Sequence, residues 1–358
     1  MLSELRLRDF RCFETLELRP AAGINFIVGQ NAQGKTSILE AICMLARLQS
    51  PRTRSLKQSI RFGATAASLD GRIRDRHLRF KWGAGGRKIE LDSVLQAKSP
   101  DYLSVARVSW FSNEDIDLVR GAGGGRRRYL DFLGAQTVPG YLAALRSYER
   151  ALRSRNYLLK RGRAWKEIEV YDRVLSRFGS LLVQARQEML LELQPFICEA
   201  GALISDRNDE IRCVFFPNTE AFSEEEMLLA FSANREKDER LRQTTTGPQR
   251  DDFSLLLAGK SAAEFASEGQ QRTISLALRM GQTKLLEKRT GVPPLLLIDD
   301  IFGELDRERR NRLLAIFPTA AQTLITTTML DWRSQNTPAK IFELSEGSLN
   351  LKTGVERE

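Results

Sequence analysis

The alternation of apolar and polar positions divides the chain into recognisable pieces. Ile24-Asn25-Phe26-Ile27-Val28 reads as a short buried strand. Beyond the polar stretch 29–36, Ile38, Leu39, Ala41, Ile42, Leu45 and Ala46 recur at helical spacing, which predicts a helix opening at Lys35 or just before it. Far downstream, Pro294-Leu295-Leu296-Leu297-Ile298 is an unbroken apolar run, as a central parallel strand covered on both faces requires. Thr323-Leu324-Ile325-Thr326-Thr327-Thr328 reads as the next strand, and Ile274, Ala277, Leu278 and Leu285 place a helix after residue 267.

Helical spacing also marks residues 141–160 (Leu142, Leu145, Tyr148, Leu152, Leu159) and 166 to about 204 (Val170, Val174, Phe178, Leu181, Leu182, Ala185, Met189, Leu193). Two helices of that size make a stubby arm, far short of the sustained heptads of a long coiled coil. Residues 210–216 and 252–257 read as strands returning from the arm to the head that carries it. The polar run 234–243 is the most linker-like stretch, and 353–358 is expected to fray. There is no internal repeat.

The sharpest chemistry sits in the polar gap between the first strand and helix. Gly29-Gln30-Asn31-Ala32-Gln33-Gly34-Lys35-Thr36 matches the phosphate-binding loop G-x-x-x-x-G-K-[ST], in the strand–loop–helix order that the chemistry needs. Glycines let backbone N–H groups turn inward around an anion, and the helix N-terminus adds partial positive charge. Lys35 is placed to reach the β- and γ-phosphates of ATP, and the Thr36 hydroxyl to bind Mg²⁺. Gly29 through Thr36, with Ser37 following, are the expected nucleotide contacts.

The unbroken apolar strand ends in Asp299-Asp300. Beside a phosphate loop, Asp299 is placed to hold the Mg²⁺ or its water, and Asp300 to act as general base toward the attacking water. Between loop and acids lies Ser267-Glu268-Gly269-Gln270-Gln271. Ser267 with Gln270 is by itself a capping box, a well-made helix start. Its place about thirty residues before the acidic strand points instead to a second phosphate site, with Ser267, Gly269 and Gln270 as contacts. One chain cannot easily wrap both sites around one nucleotide, so a symmetric head-to-tail dimer that closes on ATP is expected. Gly303-Glu304-Leu305-Asp306 would lie at the same seam, and the hydroxyls ending 323–328 could sense the γ-phosphate.

The expected fold is therefore α/β: an ATP-binding-cassette-type P-loop ATPase head, a mixed sheet with flanking helices, carrying an inserted short helical arm domain. The expected division is 1–118 for the N-terminal part of the head, 119–244 for the arm and 245–358 for the C-terminal part.

Charge adds a partner. The chain of 358 residues has a net charge of +9, unevenly spread. Residues 120–165 carry eleven Lys/Arg against two acids, and 47–88 carry twelve against two. Such segregation suits a polyanion, because each neutralised phosphate releases counterions. Arg126, Arg127, Arg128, Arg146, Arg150 and Arg153 are the candidate DNA contacts on the arm, joined by some basic residues of the first lobe. The four cysteines, Cys12, Cys43, Cys198 and Cys213, fit neither a disulfide framework nor a zinc site, and reduced core thiols are expected. The N-terminus shows no signal peptide and the apolar runs are too short to span a bilayer, so a cytoplasmic protein without membrane contact is expected.

At this point the chain resembles a known family, the RecF DNA-repair ATPases, over nearly its whole length. The resemblance rests on Leu7-Arg8-Asp9-Phe10-Arg11, the phosphate loop continuing through Ser37-Ile38-Leu39-Glu40-Ala41-Ile42, Arg127-Arg128-Tyr129-Leu130-Asp131, Thr246-Gly247-Pro248-Gln249-Arg250-Asp251-Asp252, the serine motif through Arg272, and Leu297 to Asp306. Four departures stand out. Gln249 replaces a usual histidine, Glu268 a polar uncharged residue and Gly303 a serine, while Gly121-Ala122-Gly123-Gly124-Gly125 replaces a loop that normally carries proline. The resemblance implies ATP-dependent binding of double-stranded and gapped DNA, an ATP-dependent homodimer, and slow DNA-stimulated hydrolysis that resets the complex. It also implies action with RecR, with RecO and RecA downstream, and a nucleotide contact for Arg11.

Two other classes use the same loop. The ATPase subunit of a membrane transporter usually has its serine motif much closer to the loop and a histidine after the acidic strand, where this chain has threonines. A small-molecule kinase would have no use for the serine motif.

Overall fold

The computed structural model describes residues 1–53, 55–205, 210–330 and 338–352; the expected fraying at 353–358 lies outside them. The chain packs as two units, one made of Met1–Asn113 with Leu286–Glu358 and the other of Glu114–Leu285.

The first unit is two six-stranded sheets with a helix between. One sheet is an antiparallel meander in the order Phe13–Leu18, Leu2–Phe10, Ala66–Ile73, Arg76–Gly83, Gly86–Leu91, Val94–Leu95. The other runs Ser348–Leu351, Ala339–Ser345, Ile24–Val28, Thr323–Thr327, Leu295–Asp299, Val108–Ser112, parallel throughout except for the Ser348–Leu351 edge. The Leu295–Asp299 strand is paired on both sides and Leu296, Leu297 and Ile298 are wholly buried, as its unbroken apolar sequence requires. The helix Lys35–Arg47 touches strands of both sheets and buries nearly every residue. Its closeness to the meander leaves no space at Gly71, where a Cβ would stand 2.8 Å from Leu45 Cδ2 and 2.5 Å from the Glu4 carbonyl oxygen.

Burying the whole helix also buries its charges. Glu40 is inaccessible, and its carboxylate accepts from Arg11 at 2.9 and 2.6 Å, from Ser50 Oγ at 2.6 Å and from Arg52 at 3.4 Å. Arg47 donates to the carbonyls of Leu103 and Ala106 at 2.6 and 3.0 Å, and burial pulls its pKa down to about 9. Arg47 therefore leaves the surface charge counted from the sequence.

The second unit is helical around a small sheet. Its longest helices are Gly123–Thr137, Tyr141–Lys160, Val170–Ser205 and most of Glu268–Thr290. The strands Ile211–Phe216 and Asp252–Leu257 are both present and pair with each other, and Asp252–Leu257 also pairs with Lys260–Ser261, in a three-stranded antiparallel sheet. The expected linker is corrected: Arg235–Leu241 is a helix, and its Asp238 is wholly buried. The cause is an ion pair remote in sequence. Arg155, also inaccessible, donates to Asp238 and Asp172 at 2.7 Å each and to Thr244 Oγ1 at 2.9 Å, while Asp238 accepts from the backbone and hydroxyl of Thr245. Arg155 thus belongs to the core of the unit.

Two divisions of the chain differ in kind. The units above follow packing, whereas the split at 118/119 and 244/245 concerns which segment is inserted and stays a proposal.

Removing one partner of a buried ion pair leaves an uncompensated charge, at a cost of about 3–5 kcal/mol. Asp238→Ala is expected to destabilise the protein by about that much in urea unfolding. A loss under about 1 kcal/mol would show that Arg155 finds other partners.

Candidate nucleotide site

The C-terminal ends of parallel strands are where such sheets bind ligands, and the expected residues meet there. Gly29 follows the Ile24–Val28 strand, Asp299 ends its own strand, and Thr326 lies beside Asp299 in register. Gly34 caps the helix at φ 102°, a left-handed conformation that favours glycine. Space forbids a side chain as well: a Cβ at Gly34 would stand 2.6 Å from Cys12 Sγ and 2.7 Å from Phe13 Cζ. At Gly29 it would stand 2.6 Å from the Leu344 carbonyl oxygen.

The helix behind the loop has no side-chain cap, although helices elsewhere do. Ser223 closes a capping box at Glu224–Ala233, and Asp306 caps Arg307–Ala315. No side chain thus competes with an external acceptor for the N–H groups of Lys35 and Thr36, the condition for anion binding. Lys35 Nζ donates to the carbonyls of Gly29 and Gln30 at 2.6 and 2.8 Å, which holds the ammonium against the loop. Gln30, Asn31 and Ala32 form an exposed crest, braced by Gln33 Oε1, which accepts from Gln30 N at 3.0 Å. Ser37 is buried, its N–H committed to the Gly34 carbonyl at 2.9 Å.

Asp299 is the centre of the site. Thr36 Oγ1 and Thr326 Oγ1 both donate to its Oδ1, each at 2.8 Å. Burial pushes its pKa up against those two hydrogen bonds. Asp300 follows at φ 50°, its N–H on Thr326 and its carbonyl accepting from Asn113 Nδ2 at 3.1 Å. Burial raises the pKa of Asp300 too, with Lys35 opposing and Glu304 adding. Burial lowers that of Lys35, opposed by Asp300 and Asp299. Two carboxylates and an ammonium therefore share a poorly solvated corner, where the carboxylates hold their charge at a cost.

Thr326 gains a specific role from the structure, and Asn113 was missed. An asparagine after an apolar run carries no sequence signal of its own. Arg11, linked to nucleotide by resemblance, spends its guanidinium on Glu40 and on the Gln58 carbonyl at 2.8 Å.

The serine motif lies in the second unit. Ser267 N donates to Gln270 Oε1 at 2.9 Å and Gln270 N to Ser267 Oγ at 3.3 Å, so the capping box is present. Ser267 and Glu268 are exposed, Gly269 and Gln270 partly so, and Glu268 pairs with Arg272 at 2.9 Å. Of the other departures, Gln249 braces buried Tyr148 and the Thr246 carbonyl, and Gly303 has open space where a side chain would go.

The arm arginines divide. Arg126 is bound in two-pronged fashion by Asp252, at 2.7 Å twice, and lowers that carboxyl's pKa in spite of its burial. Gly123 leaves the room for this clamp, since a Cβ there would stand 2.6 Å from Asp252 Oδ2. Arg127 donates to the Asp251 carbonyl at 2.8 Å, and Arg146 is partly buried. Arg128, Arg150 and Arg153 are exposed, with Arg153 only 3.9 Å from Glu149. All four cysteines are free, but of them only Cys43 is buried and Cys12 and Cys198 are exposed, so core thiols were expected too broadly.

The chain is similar to known proteins over its whole length. A model described as an AAA domain matches residues 4–118. The DNA replication and repair protein RecF of an Exiguobacterium strain is 34% identical over 98% of this chain and 99% of its own. That of Bacillus cereus is 32% identical over the full length of both. The chain belongs to the RecF family. Solved structures of the recombination mediator RecF in the RecFOR pathway, one of RecF-ATPrS and one of RecF-ATP, superpose with TM-scores of 0.88 and 0.87 at 26% identity, covering 98% of this chain. An Smc head bound to part of ScpA shares the fold, with a TM-score of 0.55 at 14% identity. The chain is thus an ATP-binding protein of a DNA replication and repair family, with the α/β ATPase fold expected from its motifs.

Because folded Asp299 holds its proton more tightly than the unfolded chain does, its contribution to stability is complete at low pH and falls as pH rises through its folded pKa. Asp299→Asn keeps an acceptor for both threonines and removes the buried charge. Its thermal midpoint without nucleotide is expected above that of the native protein at neutral pH, with the gap closing toward about pH 4. A lower midpoint at neutral pH would contradict the assignment. Gly34→Ala is expected to abolish ATP binding, measured by calorimetry, through the clash with Cys12 and Phe13.

Proposed function

We propose that this RecF-family chain is an ATP-gated DNA-binding protein. It dimerises on ATP, binds double-stranded DNA at gaps and supports recombinase loading, and slow DNA-stimulated hydrolysis resets it. The observation that carries the reading is the node in which Thr36 and Thr326 share Asp299, with Asp300 and Lys35 beside it.

In this reading the loop amides and Lys35 bind the phosphates of ATP, and Ser267, Gly269 and Gln270 of a second copy complete the site. Thr36 and Asp299 suit Mg²⁺, because both offer hard oxygen and the buried carboxylate lacks a cation of its own among its hydrogen-bond partners. When bound, Mg²⁺ would neutralise charge developing on the phosphates. Asp300 accepts the proton of the attacking water; its raised pKa, from burial, makes it a better base than an ordinary aspartate. The exposed arginines Arg128, Arg150 and Arg153 contact DNA phosphates, with Arg126, Arg127 and Arg146 shaping that surface. RecR, and RecO and RecA after it, are the proposed partners, in keeping with the RecFOR pathway of the solved relatives. The ATPase subunit of a membrane transporter is the disfavoured reading, because full-length similarity runs to repair proteins.

The test is binding to a gapped duplex with ATP, with ADP and with Lys35→Ala. Tight binding with ATP only, lost in the variant, is expected; equal binding in all three would overturn the nucleotide gate. Asp300→Asn separates the steps. It is expected to slow hydrolysis about 10²- to 10⁴-fold, the usual range for a general base, while ATP-dependent DNA binding persists.

A further inference from the structure

The outward face of the antiparallel sheet carries two neighbouring rows of side chains with opposite design. Cross-strand register defines the first as Glu17, Arg6, Asp70, Arg79 and Glu90. Charges alternate along it, and each arginine is paired with acids in the row or beside it. Arg6 pairs with Glu4 and Glu17 at 2.8 and 3.5 Å, and Arg79 with Asp70 and Glu90 at 2.6 and 3.3 Å. The second row, two residues along each strand, is Thr15, Arg8, Ser68, Lys81 and Lys88. It contains no acid.

Arg8 is 76% exposed and its one ion-pair contact, with Asp9, is 3.8 Å long. Asp9 itself is held by Arg61 at 2.8 Å. Lys81 and Lys88 are exposed, and neither forms an ion pair among the described residues. They also stand directly opposite each other, an arrangement that folding alone disfavours. Neighbouring strands are about 4.8 Å apart, so Arg8 and Lys81 lie roughly 10 Å apart with a hydroxyl between them and Lys88 one step further. A repulsive pair kept beside a fully neutralised row indicates an anion supplied from outside.

We propose that this row is a second DNA-binding surface, which takes the phosphate backbone of duplex DNA through Arg8, Lys81 and Lys88, with Ser68 as a neutral donor. The proposal rests on the DNA-binding reading above but concerns a different surface. Contact of this kind with the phosphate backbone positions the duplex and carries no sequence information of its own. The same sheet packs its inner face on the helix that follows the phosphate loop, so the surface is built on an element that carries Lys35 and Thr36.

Lys88→Glu tests this, since it would place an acid opposite Lys81, as Glu90 stands opposite Arg79 in the neighbouring row. Two readouts are expected to move in opposite directions. Thermal stability should rise slightly as the Lys81–Lys88 repulsion becomes attraction. Affinity for a fluorescent blunt duplex, measured with ATP across a salt series, should fall about five- to tenfold. The slope of log affinity against log salt should shrink by about 0.9 for each phosphate that the protein no longer neutralises. Lys237→Glu, an equal charge change on an exposed residue of the other unit, should leave both unchanged. Native protein that binds duplex while Lys88→Glu binds it with the same affinity and slope overturns this surface and leaves the DNA-binding reading standing. Equal losses from Lys88→Glu and Lys237→Glu would reduce the effect to net charge and overturn it too. If native protein binds no duplex at all, both readings fall together.

Discussion

Everything in the site depends on one carboxylate oxygen receiving two hydroxyl protons. Thr36 comes from the helix after the phosphate loop and Thr326 from the neighbouring parallel strand, and both end on Asp299 Oδ1 at 2.8 Å. This requires Asp299 and Thr326 to be in register, and Thr326 in turn to lie opposite Ile27, two residues before Gly29. A slip of one residue would turn each side chain to the other face. The backbone ladders on both sides of Thr323–Thr327 hold that register, and with it the geometry of the polar node at the strand ends.

The helix between the sheets imposes a second constraint. It presents an uncapped N-terminus to the site while its body is enclosed, so its one acid and its last arginine must be satisfied inside. Glu40 is held by Arg11, Ser50 and Arg52, and Arg47 by backbone carbonyls. Arg11 thus acts from the first hairpin as a brace on the phosphate-loop helix, which gives a structural reason for its place in the opening motif of the chain.

What could be read from the sequence was local and periodic. The Ile24–Val28 strand, the helix starting at Lys35, the Leu295–Asp299 strand and the Tyr141–Lys160 helix each follow from spacing within a dozen or so residues. What could not be read was pairing between polar residues far apart in the chain. Asp238 looked solvated because its neighbours are charged, yet Arg155, 83 residues away, draws it into the core. Arg47, Arg155 and Arg126 looked like free cations for the same reason, because composition counts a charge without showing its partner. In the site, the loop and both acids were legible by motif, Thr326 by the run of hydroxyls at a strand end, and Asn113 by nothing local.

The central claim, that the Thr36–Asp299–Thr326 node is the metal-and-nucleotide site, is most directly tested by letting a metal mark its own surroundings. Fe²⁺ in place of Mg²⁺, with ATP and ascorbate, cleaves the backbone beside the bound ion. The account expects ATP-dependent cuts confined to the neighbourhoods of Thr36, Asp299 and Thr326, which magnesium suppresses. Cuts elsewhere in the chain, or the same cuts without nucleotide, would contradict it.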